Sequence, residues 1–565
     1  MAFARTAITG TGLRAGALGL CASVCVSVGL AFAQGVSPDG ANPPPQASDA
    51  VPDDARVSGT VVDRRTGNPV VGAEVTLCVV DIPNVPPKFT TNSKGEFQFS
   101  GVAKGTYFLS AQKTGYAWGV YDRKLHIAGG SVTEGLTIYL VGGGRLSGRV
   151  TTRDGAAVRA ARVTCYWKAF HQGIAALLPG PNATTNAAGQ YVIEDVPQGE
   201  YYLFVAPEKA PLHPPDPAAQ VSDELRVAPA PGFYPAGNVL DASAPIDVKP
   251  GADVSKLDIV LREPPVFRVS GKVLPSASEQ PHLAVELRES TPEIPSGPLL
   301  ASRIVSAPDY SFSFEDLPSA QYTIAAFPST HRFTVWGTAD VNLASRDVSD
   351  LQLVAAEGAA VTGAIRGDPD SLVPVPAKKL SIRVTNWDIP GASSIEAPVS
   401  EDGTFALRGL APGRSEFEIT GLPQSRYVQR VSISAQPCSN SILRLSAGSA
   451  SVRLDVTVAS PAASVLGKVL DENGAAVSAA TVLLCPANPD DGPMRRARSD
   501  GKGSFAFHGL APGSYSLHAW AEIDDSRVED FALVDRNRST GETVQVSAGE
   551  TVQKKVVALP GTRAQ

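Results

Sequence analysis

FAFHGLAPGSYSLHA runs from Phe505 to Ala519, and FALRGLAPGRSEFEI runs from Phe405 to Ile419, one hundred residues earlier. In the first, Phe505 and Phe507 alternate with polar or small residues, as do Tyr515, Leu517 and Ala519 after the GLAPG run. Period-two alternation of aromatic and branched residues predicts two half-buried strands, so the glycines mark a turn. Proline suits the second position of a type II turn because its φ is fixed near −65°, and glycine suits the third, where φ is positive. This reading places Pro412–Gly413 and Pro512–Gly513 at the turn. A phosphate-cradling loop would lead into a helix, often through Lys-Ser/Thr. Here a strand follows.

The same pattern recurs outward in both directions. A short strand with a central glycine opens each repeat: RVSGTVVD at Gly59, RLSGRVTT at Gly148, RVSGKVLP at Gly271, AVTGAIRG at Gly363 and SVLGKVLD at Gly467. A second strand follows in GNPVVGAEVTLC (67–78), GAAVRAARVTCY (155–166) and GAAVSAATVLLC (474–485). The third strand carries Phe97/Phe99, Tyr191/Ile193, Phe312/Phe314, Phe405/Leu407 or Phe505/Phe507. After it comes an apolar residue (Val102, Val196, Leu317, Leu410, Leu510) and a Pro or Gly turn. No segment carries a strong amphipathic helix pattern. The expectation is an all-β chain, a tandem array of five Ig-like or transthyretin-like β-sandwiches. The expected boundaries are 1–33 leader, 34–55 Pro-rich spacer, then repeats at 56–142, 143–263, 264–356, 357–461 and 462–565.

These motifs, read together as SGxVxD…GxPVxGAxVxL…GxFxFxGLxPGxYxLxA, resemble the carboxypeptidase regulatory-like domain. The resemblance covers most of 56–560. It is closest in repeats one, two and five; in repeat three Ala320 stands for the turn glycine, and in repeat four Ser415 stands for the tyrosine. It implies a transthyretin-like sandwich, grouped by fold with starch-binding-type carbohydrate-binding modules. It also implies an accessory module rather than the catalytic domain of a zinc carboxypeptidase.

The remaining composition narrows the function classes. Net charge is −7 with 19% charged residues of both signs, which does not invite nucleic acid. Seven histidines show no HxxE or HExxH spacing, and no GxSxG elbow occurs, so no catalytic residue, metal or cofactor is expected. Near the N-terminus, Arg5 and Arg14 precede AGALGLCASVCVSVGLAFA, which ends Ala31-Phe32-Ala33. That is the pattern of a secretory signal peptide, with Gln34 as the first mature residue and no membrane span after cleavage. Export to the periplasm, cell surface or medium follows. Outside the leader, Cys78, Cys165, Cys438 and Cys485 fall one to a repeat, with none in repeat three, which leaves no disulfide within a repeat.

Strand parity supplies the binding candidates. If Tyr515, Leu517 and Ala519 face the core, His518 and Trp520 face outward, as do Tyr202 and Phe204 in repeat two. An outward aromatic floor, with Glu522, Asp524 and Asp525 close by Trp520, suits a sugar ring, and the same face suits a neighbouring repeat. The expected function is a non-catalytic structural or binding protein of the cell envelope, with an envelope protein or a polysaccharide as partner.

Overall fold

The computed structural model describes residues 55–79, 86–121, 125–171, 174–207, 226–236, 243–275, 282–290, 297–328, 335–368, 380–389, 394–438, 441–446, 448, 451–488, 491–521, 523 and 531–559. The leader, nearly all of the spacer, and Glu522, Asp524 and Asp525 lie outside these residues. The chain is all-β, as expected; the α-helix among the described residues is the six-residue Phe531–Arg536.

The opening strand of each repeat lies between two partners. In repeat one, Ala55–Asp63 pairs antiparallel with Glu96–Val102 and parallel with the closing strand Val132–Gly142. Repeat five repeats this with Ala463–Leu470 between Ser504–Leu510 and Thr551–Val557. The same antiparallel and parallel partners flank Gly144–Thr152, Val266–Pro275 and Ala359–Gly367. A second sheet is built on the hairpin strand: Gly513–Trp520 lies between Thr481–Pro486 and Glu542–Val546. The apolar faces of the two sheets meet, and in repeat five they enclose Val465, Leu484, Phe505, Phe507, Leu510, Tyr515 and Leu517. In repeat three the two sheets are continuous, seven strands joined through Val335–Leu343.

The central glycine of the opening strand is fixed by a close approach. A Cβ on Gly59, Gly148, Gly271, Gly363 or Gly467 would collide with the carbonyl oxygen of Leu136, Leu257, Leu351, Leu454 or Lys554, on the closing strand or, for Leu257, in the break within it. Across the other edge each glycine faces the aromatic of the third strand: Phe97, Tyr191, Phe312, Phe405 or Phe505. The ring occupies the volume a side chain would fill; a Cβ on Gly59 would stand 2.8 Å from Phe97 Cζ. The parallel pair thus closes only where the side chain is a hydrogen.

A second device recurs at the end of the third strand. There the register slips, with two residues of the opening strand facing three of its partner, in all five repeats. This is a β-bulge, and it turns on a residue in the left-handed region. That residue is Gly101 (φ 67), Asp195 (φ 58), Asp316 (φ 51), Gly409 (φ 73) or Gly509 (φ 68). The turn assignment is therefore corrected. Gly413 has φ 104, but Gly513 is not in the left-handed region; the recurrent left-handed residue is the first glycine of GLAPG, not the last. In repeats two and three aspartate takes the position, which a short polar side chain tolerates.

Gly467→Ala is expected to cost roughly 1–3 kcal/mol, the range for overpacking a filled core. Gly501→Ala is the control, since a Cβ there meets nothing within 4 Å. Hydrogen exchange of the whole protein should show Gly467→Ala loosening Ala463–Leu470 and Thr551–Val557. Equal protection in the two variants would remove the close-approach account.

Candidate functional site

The strand Gly513–Trp520 shows what becomes of the candidate aromatic face. Its parity is as expected: Tyr515, Leu517 and Ala519 lie in the core of repeat five, and His518 and Trp520 lie on the other side. The expected exposure is corrected. Trp520 is 0% and His518 1% exposed, because that face carries a small core of its own. Trp520 packs with Leu483, Cys485, Met494, Leu533 and Val534, the last two supplied by the short helix. The imidazole of His518 stacks on the indole at 5.9 Å and 18°. Gly541 lies close against the imidazole: a Cβ there would stand 2.8 Å from Nε2. Among the described residues, the indole Nε1 of Trp520 has no hydrogen-bond partner. The signal for this second core is in TVLLCP (481–486), apolar on both parities, the mark of a strand covered on both faces.

Tyr202 and Phe204 also face outward from their own repeat, and their expected exposure is corrected too. Phe204 is 2% exposed and lies edge-on to Tyr166 at 6.0 Å and 4.9 Å from Phe233. All three belong to one hydrophobic cluster with Phe267, Leu287 and Leu300 of repeat three, and half-buried Tyr202 packs against it. Phe327 of repeat three lies 5.6 Å from Trp336, which packs with Ile389 and Ala411 of repeat four. The outward faces of repeats two and three are joints, and sequence parity alone does not say what lies across them.

The hairpin tyrosine has a polar task that the sequence reading missed. Its hydroxyl donates to a carbonyl four residues upstream: Tyr107 to Ala103 O at 2.8 Å, Tyr322 to Pro318 O at 2.7 Å, and Tyr515 to Ala511 O at 2.8 Å. This ties the turn to its following strand. Repeat four has Ser415 instead, and Asn386 from the neighbouring strand replaces the phenol. Its Nδ2 donates to Ala411 O at 3.3 Å and Pro412 O at 2.9 Å, while its Oδ1 accepts from Asp388 N and Ile389 N. Asp388 in turn holds Arg414 through backbone and side chain at 2.7–2.8 Å. Pro412 and Gly413 are thus clamped by side chains rather than aimed at a ligand.

An open cleft of about 570 Å³ lies on repeat two, lined by Arg149, Asn186, Gln190, Lys256 and Asp258. It forms where the closing strand breaks between Asp253–Val254 and Ile259–Leu261, with Lys256 at φ 61. Its groups can hydrogen-bond a small polar molecule, but Tyr191 beneath it is 2% exposed and offers no ring face. Among the described residues no group of three His, Cys, Asp or Glu is placed to hold a metal ion, and no helix is long and apolar enough to cross a membrane. Burial raises the Cys165 thiol well above its usual range and pushes Glu289 up to about 7.

Residues 56–140 and 464–558 match the family model of the carboxypeptidase regulatory-like domain. No curated protein matches the chain. Among solved structures, the Bacillus anthracis TIE protein is 11% identical, with 68% of this chain and 69% of that chain covered at a TM-score of 0.16. BcpA, the major pilin subunit of Bacillus cereus, is 10% identical, with 89% and 99% covered at 0.14. Two B repeat units of the Staphylococcus aureus collagen binding protein are 12% identical, with 72% and 100% covered at 0.14. At these TM-scores the likeness carries no argument.

Two outcomes follow from the buried groups. Trp520→Ala is expected to destabilise repeat five by about 3–5 kcal/mol, the range for truncating a buried tryptophan. A thermal melt of the whole protein that does not change would show that the ring is not packed. Glu289 is neutral in the folded chain up to about pH 7, whereas an unfolded glutamate ionises near pH 4.3. The stability this gives is present below the unfolded value and is lost as pH rises toward 7. Glu289→Gln should flatten that loss in a melt series from pH 4.5 to 7.5; parallel curves for the two proteins would contradict it.

Proposed function

We propose, from a chain whose residues 56–140 and 464–558 are carboxypeptidase regulatory-like domains, an exported, non-catalytic array that works at the cell envelope by holding and presenting β-sandwich repeats to a partner. The array consists of five repeats with boundaries at 56–142, 143–263, 264–356, 357–461 and 462–565, behind a leader that ends at Ala33 and a Pro-rich spacer. One observation carries the reading. The side chains that a binding or catalytic site would need are spent on architecture: Phe204 and Trp336 fill joints, Trp520 and His518 fill a second core, and Tyr515 and Asn386 hold turns. An envelope protein is the partner that suits such an array. Polysaccharide binding through outward rings is the weaker reading, since of its four candidate residues Trp520, His518 and Phe204 are covered and Tyr202 is half-buried.

The test has two arms. Full-length protein should be recovered outside the cytoplasm with Gln34 at its N-terminus, and protein lacking residues 2–33 should stay inside. The exported protein should not sediment with cellulose, chitin or starch granules. Cytoplasmic retention of the full-length chain would overturn the export reading. Sedimentation with a polysaccharide that Tyr202→Ala abolishes would establish the glycan reading in its place.

A further inference from the structure

The four joints between successive repeats are built from different materials. Hydrophobic clusters that include residues of two repeats occur, among the described residues, at two of them: between repeats two and three, and between three and four. We infer that repeats two to four form one rigid shaft, and that repeat one and repeat five are carried on hinges at its ends. The inference concerns how the array moves and stands whether or not the array binds the partner proposed above.

The joint between repeats two and three is a shared core. Tyr166, Leu177, Phe204 and Phe233 of repeat two lie in one cluster with Phe267, Leu287, Leu300 and Tyr322 of repeat three. The backbone N–H of Leu299 donates to Tyr166 Oη at 3.3 Å across it. The chain then crosses with a further tie: Val266 N donates to Arg226 O at 2.9 Å. Arg226 and Arg268 converge on Asp347 at 3.3 and 3.6 Å. The joint between repeats three and four is smaller and still apolar. Trp336, 2% exposed, packs with Ile389 and Ala411, and its Nε1 donates to Gly409 O at 3.4 Å. Bodies that share buried rings must expose them to bend, so such joints are stiff.

The end joints have no such cluster among the described residues. Between repeats one and two the contacts are polar and small. Gly115 N donates to Asp195 Oδ1 at 2.8 Å, and Gly143 N to Gly115 O at 3.0 Å. The chain passes through Gly142, Gly143 and Gly144, and at Gly143 it meets backbone on both sides: a Cβ there would stand 2.6 Å from Asp195 Cα and 3.2 Å from Ala117 N. Between repeats four and five the left-handed Gly509 rests on backbone: its missing Cβ would stand 3.1 Å from Arg426 O. Ala462 N donates to Ser425 O at 2.8 Å beside it. Hydrogen bonds of this kind exchange for water at little net cost. The two hinged repeats are those that contain the family-matched segments, while the shaft includes the two with degraded motifs, whose outward faces are occupied by neighbours.

Spin labels on unnatural side chains in the full chain, read as pairwise distance distributions, test the inference. Exposed Arg64, Arg153, Ile304, Glu401 and Glu472 supply one site per repeat. The 153–304 and 304–401 pairs should give narrow distributions, and the 64–153 and 401–472 pairs should be at least about twofold broader. Trp336→Ala should broaden 304–401 while leaving 153–304 narrow. A broad 153–304 distribution, or end pairs as narrow as the central ones, would overturn the shaft-and-hinge arrangement. Because the unsubstituted chain already decides this, the outcome does not depend on how well Trp336→Ala folds.

Discussion

A carbonyl oxygen set against a glycine holds each repeat together. The opening strand pairs with both the third strand and the closing strand, and its central glycine is where the closing strand comes nearest. Leu136, Leu257, Leu351, Leu454 and Lys554 each bring an oxygen to where a side chain would be. The facing aromatic is buried in the core of its repeat, and Phe97, Phe405 and Phe505 set their rings against Gly59, Gly363 and Gly467. Without the glycine the parallel strand would stand off, the ring would lose its seat, and the two sheets would lose the contact that keeps them face to face. The bulge one turn away depends on the same pairing, since the slip in register is defined against the opening strand.

From this frame the polar residues acquire their positions. The bulge drops an apolar residue, Val102, Val196, Leu317, Leu410 or Leu510, into the core, and turns the chain toward the hairpin. The tyrosine hydroxyl then secures the turn by its carbonyl. Repeat four shows that the turn, not the tyrosine, is what must be kept. With Ser415 in place the same carbonyl position, Ala411, is reached from another strand by Asn386. Burying an amide there is tolerable because it donates to the turn at Ala411 and Pro412 and accepts from Asp388 N and Ile389 N of its own segment.

The sequence was legible where the pattern is local. Alternation in FAFHGLAPGSYSLHA gives two strands, and the five recurring glycines give the repeat. It was less legible where a residue's neighbour is remote. Parity put Phe204 and Trp520 on the outer face correctly, but the cover over them comes from repeat three and from residues 533–559. The positive φ was placed one turn too late at Gly513, because a type II turn and a bulge both ask for glycine and GLAPG offers two. Asp195 and Asp316 at the same position carried the answer, since neither repeat has a second glycine in step with Gly409. Asn386 left no local trace, being 25 residues from the carbonyl it satisfies.

The parallel pairing of first and last strands has a mechanical consequence. Because Ala463–Leu470 and Thr551–Val557 run in the same direction, the chain enters repeat five at one end of this pair and leaves at the other. A pull on the two ends therefore slides the strands along each other instead of peeling them apart. Seven residue pairs, from Ser464 with Thr551 to Leu470 with Val557, bear the load together, and none can fail alone. The same holds for the seven pairs from Val361–Val452 to Gly367–Val458 in repeat four. Under tension along the array each repeat resists as a shear joint, with the lysine carbonyl lodged against Gly467 acting as a catch that must be lifted before the strands move.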